Sequence, residues 1–255
     1  MSGAAPHLDY ALPVALDAVI ERRLLVNFRL DPQVAARLLP APFRPQLVEG
    51  DAVAGVCLIR LGGMRPAGFP VAAPVHVESA AHRIAVEWDA ADGPAHGVWV
   101  PERHTASRLA AAVGGRGFPG VQRPAAFRVR ESAGRSAVSV EASDVSVAAD
   151  VETTERFSSG LFADLASASA FFRAGDVGWS PARRADRAEG LRLTTDRWRI
   201  EPGLAHEARS SFFDALPAGS AVFDSALVMR DVPVRWEPVA RLAIGPVPHP
   251  PLRAA

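Results

Sequence analysis

His76, Glu78 and His82 are the first residues of the chain whose types and spacing suggest chemistry. They share parity on one predicted strand, so their side chains point to the same face. Two imidazoles and a carboxylate can hold zinc or iron. Extended chain, however, separates His76 from His82 by roughly 20 Å, too far to share one ion unless the strand bulges sharply. No metal is expected, and the histidines read as isolated groups on a half-solvated strand. Glu78 is the sharper candidate. The segment Pro74-Val75-His76-Val77-Glu78-Ser79-Ala80-Ala81-His82-Arg83 is apolar enough to face an interior. A carboxylate buried there needs a partner, because an unpaired buried charge is costly. Arg83 has opposite parity and does not meet Glu78 on a flat strand. Arg103, Arg108, Arg116 and Arg123 are the partners to consider. A structural ion pair and a ligand-binding carboxylate both remain open for Glu78. His104, in Glu102-Arg103-His104, adds a side chain that titrates near neutral pH.

Other chemistries are excluded. The sequence contains no lysine, so all 28 basic residues are Arg, a bias also produced by GC-rich coding. Schiff-base catalysis by a lysine, lysine-anchored pyridoxal phosphate and a Walker-type phosphate loop are therefore ruled out. A single cysteine, Cys57, precludes an internal disulfide or a multi-Cys zinc site. In the apolar run Gly55-Val56-Cys57-Leu58-Ile59 it reads as a small buried hydrophobe, with a reactive thiol as the less favoured alternative. No Gly-x-Ser-x-Gly elbow is present, and Gly114-Gly115-Arg116-Gly117 follows a predicted helix, unlike a dinucleotide loop. Asp231-Val232-Pro233-Val234-Arg235-Trp236 reads as a strand end packing its Trp. The 28 acidic residues cancel the 28 basic ones, which argues against nucleic acid or an anionic membrane as partner. With neither a signal-like start nor a long apolar run, the expectation is a soluble cytoplasmic protein.

Strands must position these groups. Leu24, Val26, Phe28 and Leu30 alternate with Arg23, Asn27 and Arg29. Asp31-Pro32 then opens a short helix that Pro40 stops. Hairpins are predicted for 43–48 with 52–61 about Glu49-Gly50-Asp51, for 74–88 with 95–100 about Asp92-Gly93, and for 125–131 with 136–147 about Ala133-Gly134. Helices are predicted from Thr105 to Val113, capped by Gly114, and from Ser158/Ser159 to Gly175 through Leu161, Phe162, Leu165 and Phe172. Strands resume at 190–200, 204–211 and 222–236, where Pro233 implies an edge or a bulge. Residues 1–15 and the Pro-rich tail 245–255 read as loosely ordered ends around a single domain over 16–244. The pattern predicts an α+β fold built on an antiparallel β-barrel with a few peripheral helices.

The order of the Asp31-Pro32 helix, the Leu39-Pro40 turn, the Gly50 hairpin and the Glu78/Arg83 strand resembles the acetoacetate-decarboxylase-like superfamily. Gly97-Val98-Trp99, Gly117-Phe118-Pro119 and Phe223-Asp224-Ser225-Ala226-Leu227-Val228 extend the likeness over residues 18–240. Within it, the chain is most similar to the uncharacterised bacterial DUF2071 (YqjF-like) family. The resemblance implies a barrel whose interior is a closed pocket for a small oxo acid. It also implies that Gly117-Phe118-Pro119-Gly120-Val121 replaces the decarboxylases' Pro-Lys-Lys segment, so that acetoacetate decarboxylation is lost. Glu78 falls at the pocket-glutamate position, and Arg83 resembles the Arg that follows it.

The expected function is thus acid/base or electrostatic catalysis of the lyase, hydratase, isomerase or cyclase type on an oxo-acid or acyl/polyketide-like substrate. Glu78 and His104 are the expected catalytic groups. Arg83, Arg116, Phe118, Pro119, Gly120, Val121 and Trp99 are the expected substrate-binding set. No cofactor is expected; the expected partners are a small carboxylate or acyl ligand and further copies of the chain. A non-catalytic metabolite-binding protein on the same scaffold is the alternative, and a purely structural oligomer-former a third reading.

Overall fold

The computed structural model describes residues 15–70, 76–113, 119–184 and 186–248. The expected loose segment 1–15 and the tail therefore lie largely outside the described residues, as do Gly114, Arg116, Gly117 and Phe118. The first half of the chain runs β1 (Leu16–Leu30), α1 (Pro32–Arg37), β2 (Arg44–Pro45), β3 (Leu47–Val48), β4 (Asp51–Pro66), β5 (His76–Ala90), β6 (Gly93–Trp99), β7 (Arg103–Thr105) and α2 (Arg108–Val113). It continues with β8 (Arg123–Pro124), β9 (Ala126–Ser132), β10 (Arg135–Glu141), β11 (Ser146–Thr153), α3 (Leu165–Ala174), β12 (Val177–Pro181), β13 (Arg187–Thr194), β14 (Glu201–Ser210), α4 (Ser211–Asp214) and β15 (Ala221–Ala243).

Hydrogen bonding joins β1, β4, β5, β6, β12, β13 and β15 in that order, and β15 pairs back onto β1. The circuit is closed, and every pairing in it is antiparallel except the short β6–β12 contact. A wing of β14, β11, β10 and β9 branches from the first half of β15. The α+β, strand-dominated, barrel-like architecture predicted above is what the chain forms.

Local chemistry explains the turns. Leu47 pairs with Ala52 and Val48 with Asp51, which leaves Glu49-Gly50 as a two-residue loop. Both have positive φ, 51° and 91°, the combination a tight hairpin requires. Ala133-Gly134 is likewise a two-residue loop between β9 and β10, with Gly134 alone at positive φ, 79°. The β5–β6 loop is Ala91-Asp92, one residue earlier than expected, because Gly93 pairs with Ala90. Asp31 caps α1 by accepting from the N–H groups of Gln33 and Val34. Two helix starts differ from expectation: Ser107, not Thr105, caps α2, and Asp164 caps α3 after a loop that holds Leu161 and Phe162. Pro233 lies between the β14-paired and β13-paired parts of β15, so that side of the strand needs no amide donor there.

β1 shows how the core is divided. Leu24, Val26, Phe28 and Leu30 pack with Val34 and Ala35 of α1 and with valines of the wing, outside the ring. Leu25 packs on the other side with Cys57, Phe162, Phe172 and Met229. The polar face predicted for β1 is therefore also covered, and Asn27 is fully buried. Among the described residues no helix is long and apolar enough to cross a membrane.

Candidate functional site

All seven strands of the circuit contribute residues to one cavity of about 830 Å³, β12 through Gly178 alone, and the cavity therefore lies inside the ring. The lining is mostly apolar, from Ile59 and Leu61 on β4 through Leu191 and Leu193 on β13 to Phe172, Trp198 and Trp236. Three buried or half-buried arginines on strands interrupt it, Arg23, Arg83 and Arg103, and the exposed Arg173 of α3 borders it.

Arg83 is 4% exposed. The β4–β5 register sets it opposite Gly55, where an added Cβ would come 3.3 Å from Nη2 of Arg83 and 2.4 Å from the Val26 carbonyl oxygen. The glycine makes room for the guanidinium. Nη2 donates to Asn27 Oδ1, the guanidinium carbon lies 4.8 Å from the Phe172 ring centre, and Nε has no hydrogen-bond partner among the described residues. Burial, with repulsion from Arg23, lowers its pKa to about 10, so it stays cationic at neutral pH.

Arg103 donates through Nε to Ser180 Oγ at 2.8 Å and rests against Gly120. Burial lowers its pKa, also to about 10. The loop beneath it is fixed by Glu189, which accepts from the Gly120 amide at 2.8 Å and from Arg241 at 2.9 Å. Arg23 donates through Nε to Cys57 Sγ at 3.2 Å, with Met229 Sδ 3.7 Å from Nη1. Among the described residues none of the three arginines has a carboxylate oxygen within 4 Å. The sole acid on the described lining, Asp176, is engaged by Arg192 at 3.4 Å.

Glu78 requires a correction. It is absent from the cavity wall: Val77, Ser79, Ala81 and Arg83 point inward, and Glu78 points out. Its partner is Arg22, none of the four arginines considered from the sequence, and Glu131 lies 3.6 Å from the same guanidinium. Burial raises the Glu78 pKa, and Arg22 and then Arg60 pull it part of the way back. An outward carboxylate locked to arginine cannot be the pocket's general acid. The alternation expected for this strand holds, but the inward parity is that of Val77, Ser79, Ala81 and Arg83 and not that of His76, Glu78 and His82.

His104 borders the cavity, as expected of a candidate proton carrier. Its ring is buried, Nε2 lies 3.1 Å from Asp144 Oδ1, and Nδ1 has no partner among the described residues. Glu102, His104 and Asp144 present ligand atoms within 4.8 Å of one another, but Arg123 pairs with Asp144 and weakens that group as a cation site. His82 and His76 are far from sharing an ion. His82 Nε2 is 2.7 Å from Ser210 Oγ, its ring stacks on Phe212, and His76 pairs with Glu21. Trp99 is fully buried in the outer apolar cluster beside Phe43 and does not line the cavity, so its expected place in the substrate set is also corrected. Pro119 and Gly120 are buried and Val121 is exposed; of these, Gly120 touches the site through Arg103. Arg116 and Phe118 lie outside the described residues. Arg23, Arg103 and Cys57 are wall residues that the sequence does not assign to the site: Arg103 reads there only as a possible partner of Glu78, and Cys57 as core. Arg23 carried a signal, since it shares parity with Asn27 on a strand whose other face is apolar.

The ring with its inner cavity is the acetoacetate decarboxylase-like fold. The enduracididine biosynthesis enzyme MppR in complex with pyruvate superposes with a TM-score of 0.59 at 13% identity, covering 92% of this chain and 96% of that one. Acetoacetate decarboxylase from Legionella pneumophila gives 0.55 at 14% identity over 95% and 93% of the two chains. An acetoacetate decarboxylase-like enzyme from Sphingomonas wittichii RW1 gives 0.58 at 12% identity over 95% and 100%. No curated protein matches the sequence. Residues 18–215 match the DUF2071 model, whose description reads "uncharacterized conserved protein". The chain belongs to the DUF2071 family.

Proposed function

We propose that this protein is a small-molecule enzyme that takes an oxo-acid or acyl-type carboxylate into the ring and works without a lysine imine. The single observation that carries this reading is the arginine triad, Arg23, Arg83 and Arg103, none of which has a carboxylate oxygen of the described residues within 4 Å, on a wall whose one described acid, Asp176, is engaged by Arg192. Leaving guanidinium groups uncompensated in an apolar cavity is unfavourable, and a ligand carboxylate relieves it through charge-assisted bonds. The cavity volume suits a ligand much larger than a three-carbon acid, and the Leu, Trp and Phe lining suits an apolar body behind an acidic head. Pyruvate, bound by MppR, illustrates the head group on this fold.

In such a complex Arg83 and Arg103 anchor the carboxylate and stabilise negative charge that develops on a neighbouring oxygen. His104, backed by Asp144, is the proton carrier. The sequence contains no lysine amine, so charge stabilisation falls to the guanidiniums. A second reading, metabolite binding without catalysis, draws support from the lack of a free carboxylate on the described wall.

A melting series with 2-oxo acids of three to twelve carbons, beside their amides, tests the proposal. Acids are expected to raise the melting temperature progressively with tail length through preferential binding to the native state, and amides to have little effect. Equal shifts by acids and amides, or none by either, would sink it. Turnover of the best-binding acid separates the enzyme from the carrier.

A further inference from the structure

We propose that the ligand is a dianion, with one carboxylate between Arg23 and Arg83 and a second anionic group at Arg103, so that a 2-oxo dicarboxylate fits better than a monoacid of equal length. The inference rests on the carboxylate-binding reading above and names the substrate class of the same site. Strand register divides the three guanidiniums between two places. On β4, Gly55 and Cys57 share parity, two residues and roughly 7 Å apart. A Cβ added to Gly55 would lie 3.3 Å from Arg83 Nη2, and Cys57 Sγ lies 3.2 Å from Arg23 Nε. Two cationic heads therefore stand over neighbouring positions of one strand. A single carboxylate between them can accept from both.

Arg103 stands apart from that pair. Its Nε donates to Ser180 Oγ at 2.8 Å, and its Nη2 would lie 3.4 Å from a Cβ on Gly178. Both neighbours belong to β12, three strands from β4 in a ring of seven. The wall opposite Arg23 and Arg83 thus carries a cation of its own. Ser180 accepts a hydrogen bond from it and cancels none of its charge. Glu189 acts on Arg103 only from beyond 4 Å, and Arg241 already pairs with Glu189 at 2.9 Å.

Charge counting then favours two anionic groups over one. Arg83 and Arg103 hold pKa values of about 10 despite their burial, so both are cationic at neutral pH. A monoanion seated between Arg23 and Arg83 leaves Arg103 unmatched across an apolar chamber, an unfavourable arrangement. A second carboxylate on the ligand matches it at the place where the reading above puts charge developing on an oxygen. The apolar lining between the two walls suits a methylene spacer, and the fixed span between them sets its length.

Calorimetric titration of the full-length chain tests this with 2-oxo diacids of five to ten carbons. The controls are the 2-oxo monoacids of equal length and the same diacids esterified at the distal carboxyl. At the best length the diacid is expected to bind about tenfold or more tightly than either control, the range of a charge-assisted bond. Arg103→Gln should remove most of that advantage and cost the monoacid only a few-fold, whereas Arg83→Gln should weaken diacid and monoacid alike. The distal ester removes the same charge from the ligand in the unaltered protein, so the outcome does not depend on a variant folding. A diacid that binds no more tightly than its controls at any length, or an advantage that survives Arg103→Gln, overturns the proposal. If monoacids still bind in that case, the carboxylate-binding reading stands and only the second anionic group falls; if neither binds, both fall.

Discussion

Arg22 and Arg23 are neighbours in sequence and opposites in environment. Arg22 points outward, is 1% exposed and meets Glu78, with Glu131 at 3.6 Å. Around it Arg60 pairs with Glu21 at 3.0 Å and Glu131 at 3.6 Å, and Arg230 with Glu131 at 3.5 Å. Guanidinium and carboxylate are matched there, and the network ties β1, β4, β5 and β15 to the β9–β10 hairpin of the wing. Arg23 points inward, toward a sulfur and two further arginines. Charge that a fold compensates is architecture, since removing either partner strands the other. Charge that a fold leaves open is a demand on something from outside.

The largest test of that contrast breaks the outer side. Arg22→Ala leaves Glu78 in a half-buried site without its main partner, and should cost roughly 3 kcal/mol of unfolding free energy in urea titration. Binding of carboxylates should be unchanged. Comparable loss of acid binding would show the two faces to be one site.

His82 sharpens the same point on the outer side, where a buried group is kept neutral instead of paired. Burial, and then the nearby His104, lower its pKa to about 3 from an ordinary 6.5, opposed by Asp144. The unfolded chain therefore takes up a proton below pH 6.5 that the folded chain refuses until about pH 3. The contribution is fully present above pH 6.5 and is lost as the pH falls. One pH unit inside the window is worth about 1.4 kcal/mol. Between pH 6.5 and 4.5 the loss should be about 2–3 kcal/mol, and His82→Gln should flatten the curve in that interval. An unchanged slope would assign the acid sensitivity elsewhere.

On the inner side the sign of the stability effect differs. Arg83→Gln should weaken binding of a long-chain oxo acid by about 10- to 100-fold, the range of a lost charge-assisted bond. Its unfolding free energy should change by less than about 1 kcal/mol, because an uncompensated charge leaves together with its one hydrogen bond to Asn27. A stability loss as large as that of Arg22→Ala, with affinity retained, would make Arg83 architectural after all.

What the sequence made legible was local. Glu49-Gly50 and Ala133-Gly134 carry their own turn geometry, and Asp31-Pro32 its own helix start, so these elements emerge from short-range chemistry. The inward face did not. A strand covered on both sides shows a period of two without saying which parity lies inside, and β5 is such a strand: Glu78 and Arg83 alternate faithfully, and the ring decides between them. That decision depends on β1 pairing with β15, some two hundred residues away, where Arg22 meets Arg230 and Arg23 meets Met229 in register. The partner of Glu78 comes from β1, and no spacing within β5 names it. Cys57 sat in an apolar run that reads as core, and it is core on the side of the cavity.

The smallest expected effect tests whether the inner wall is held as firmly as the outer network. Gly120 has φ +91°, and a Cβ added to it would stand 3.1 Å from Arg103 Nε and 3.3 Å from Cδ. Gly120→Ala meets two penalties, an unfavourable backbone conformation and a crowded guanidinium, together about 1 kcal/mol of stability. Glu189 still holds the Gly120 amide, so the loop cannot move away and Arg103 must shift. Acid affinity should then fall a few-fold, less than for Arg83→Gln. In the double variant with Arg103→Gln the two affinity losses should not add, because both act through one side chain. Additive losses would mean that the loop touches the ligand by a route other than Arg103, and the triad would shrink to Arg23 and Arg83.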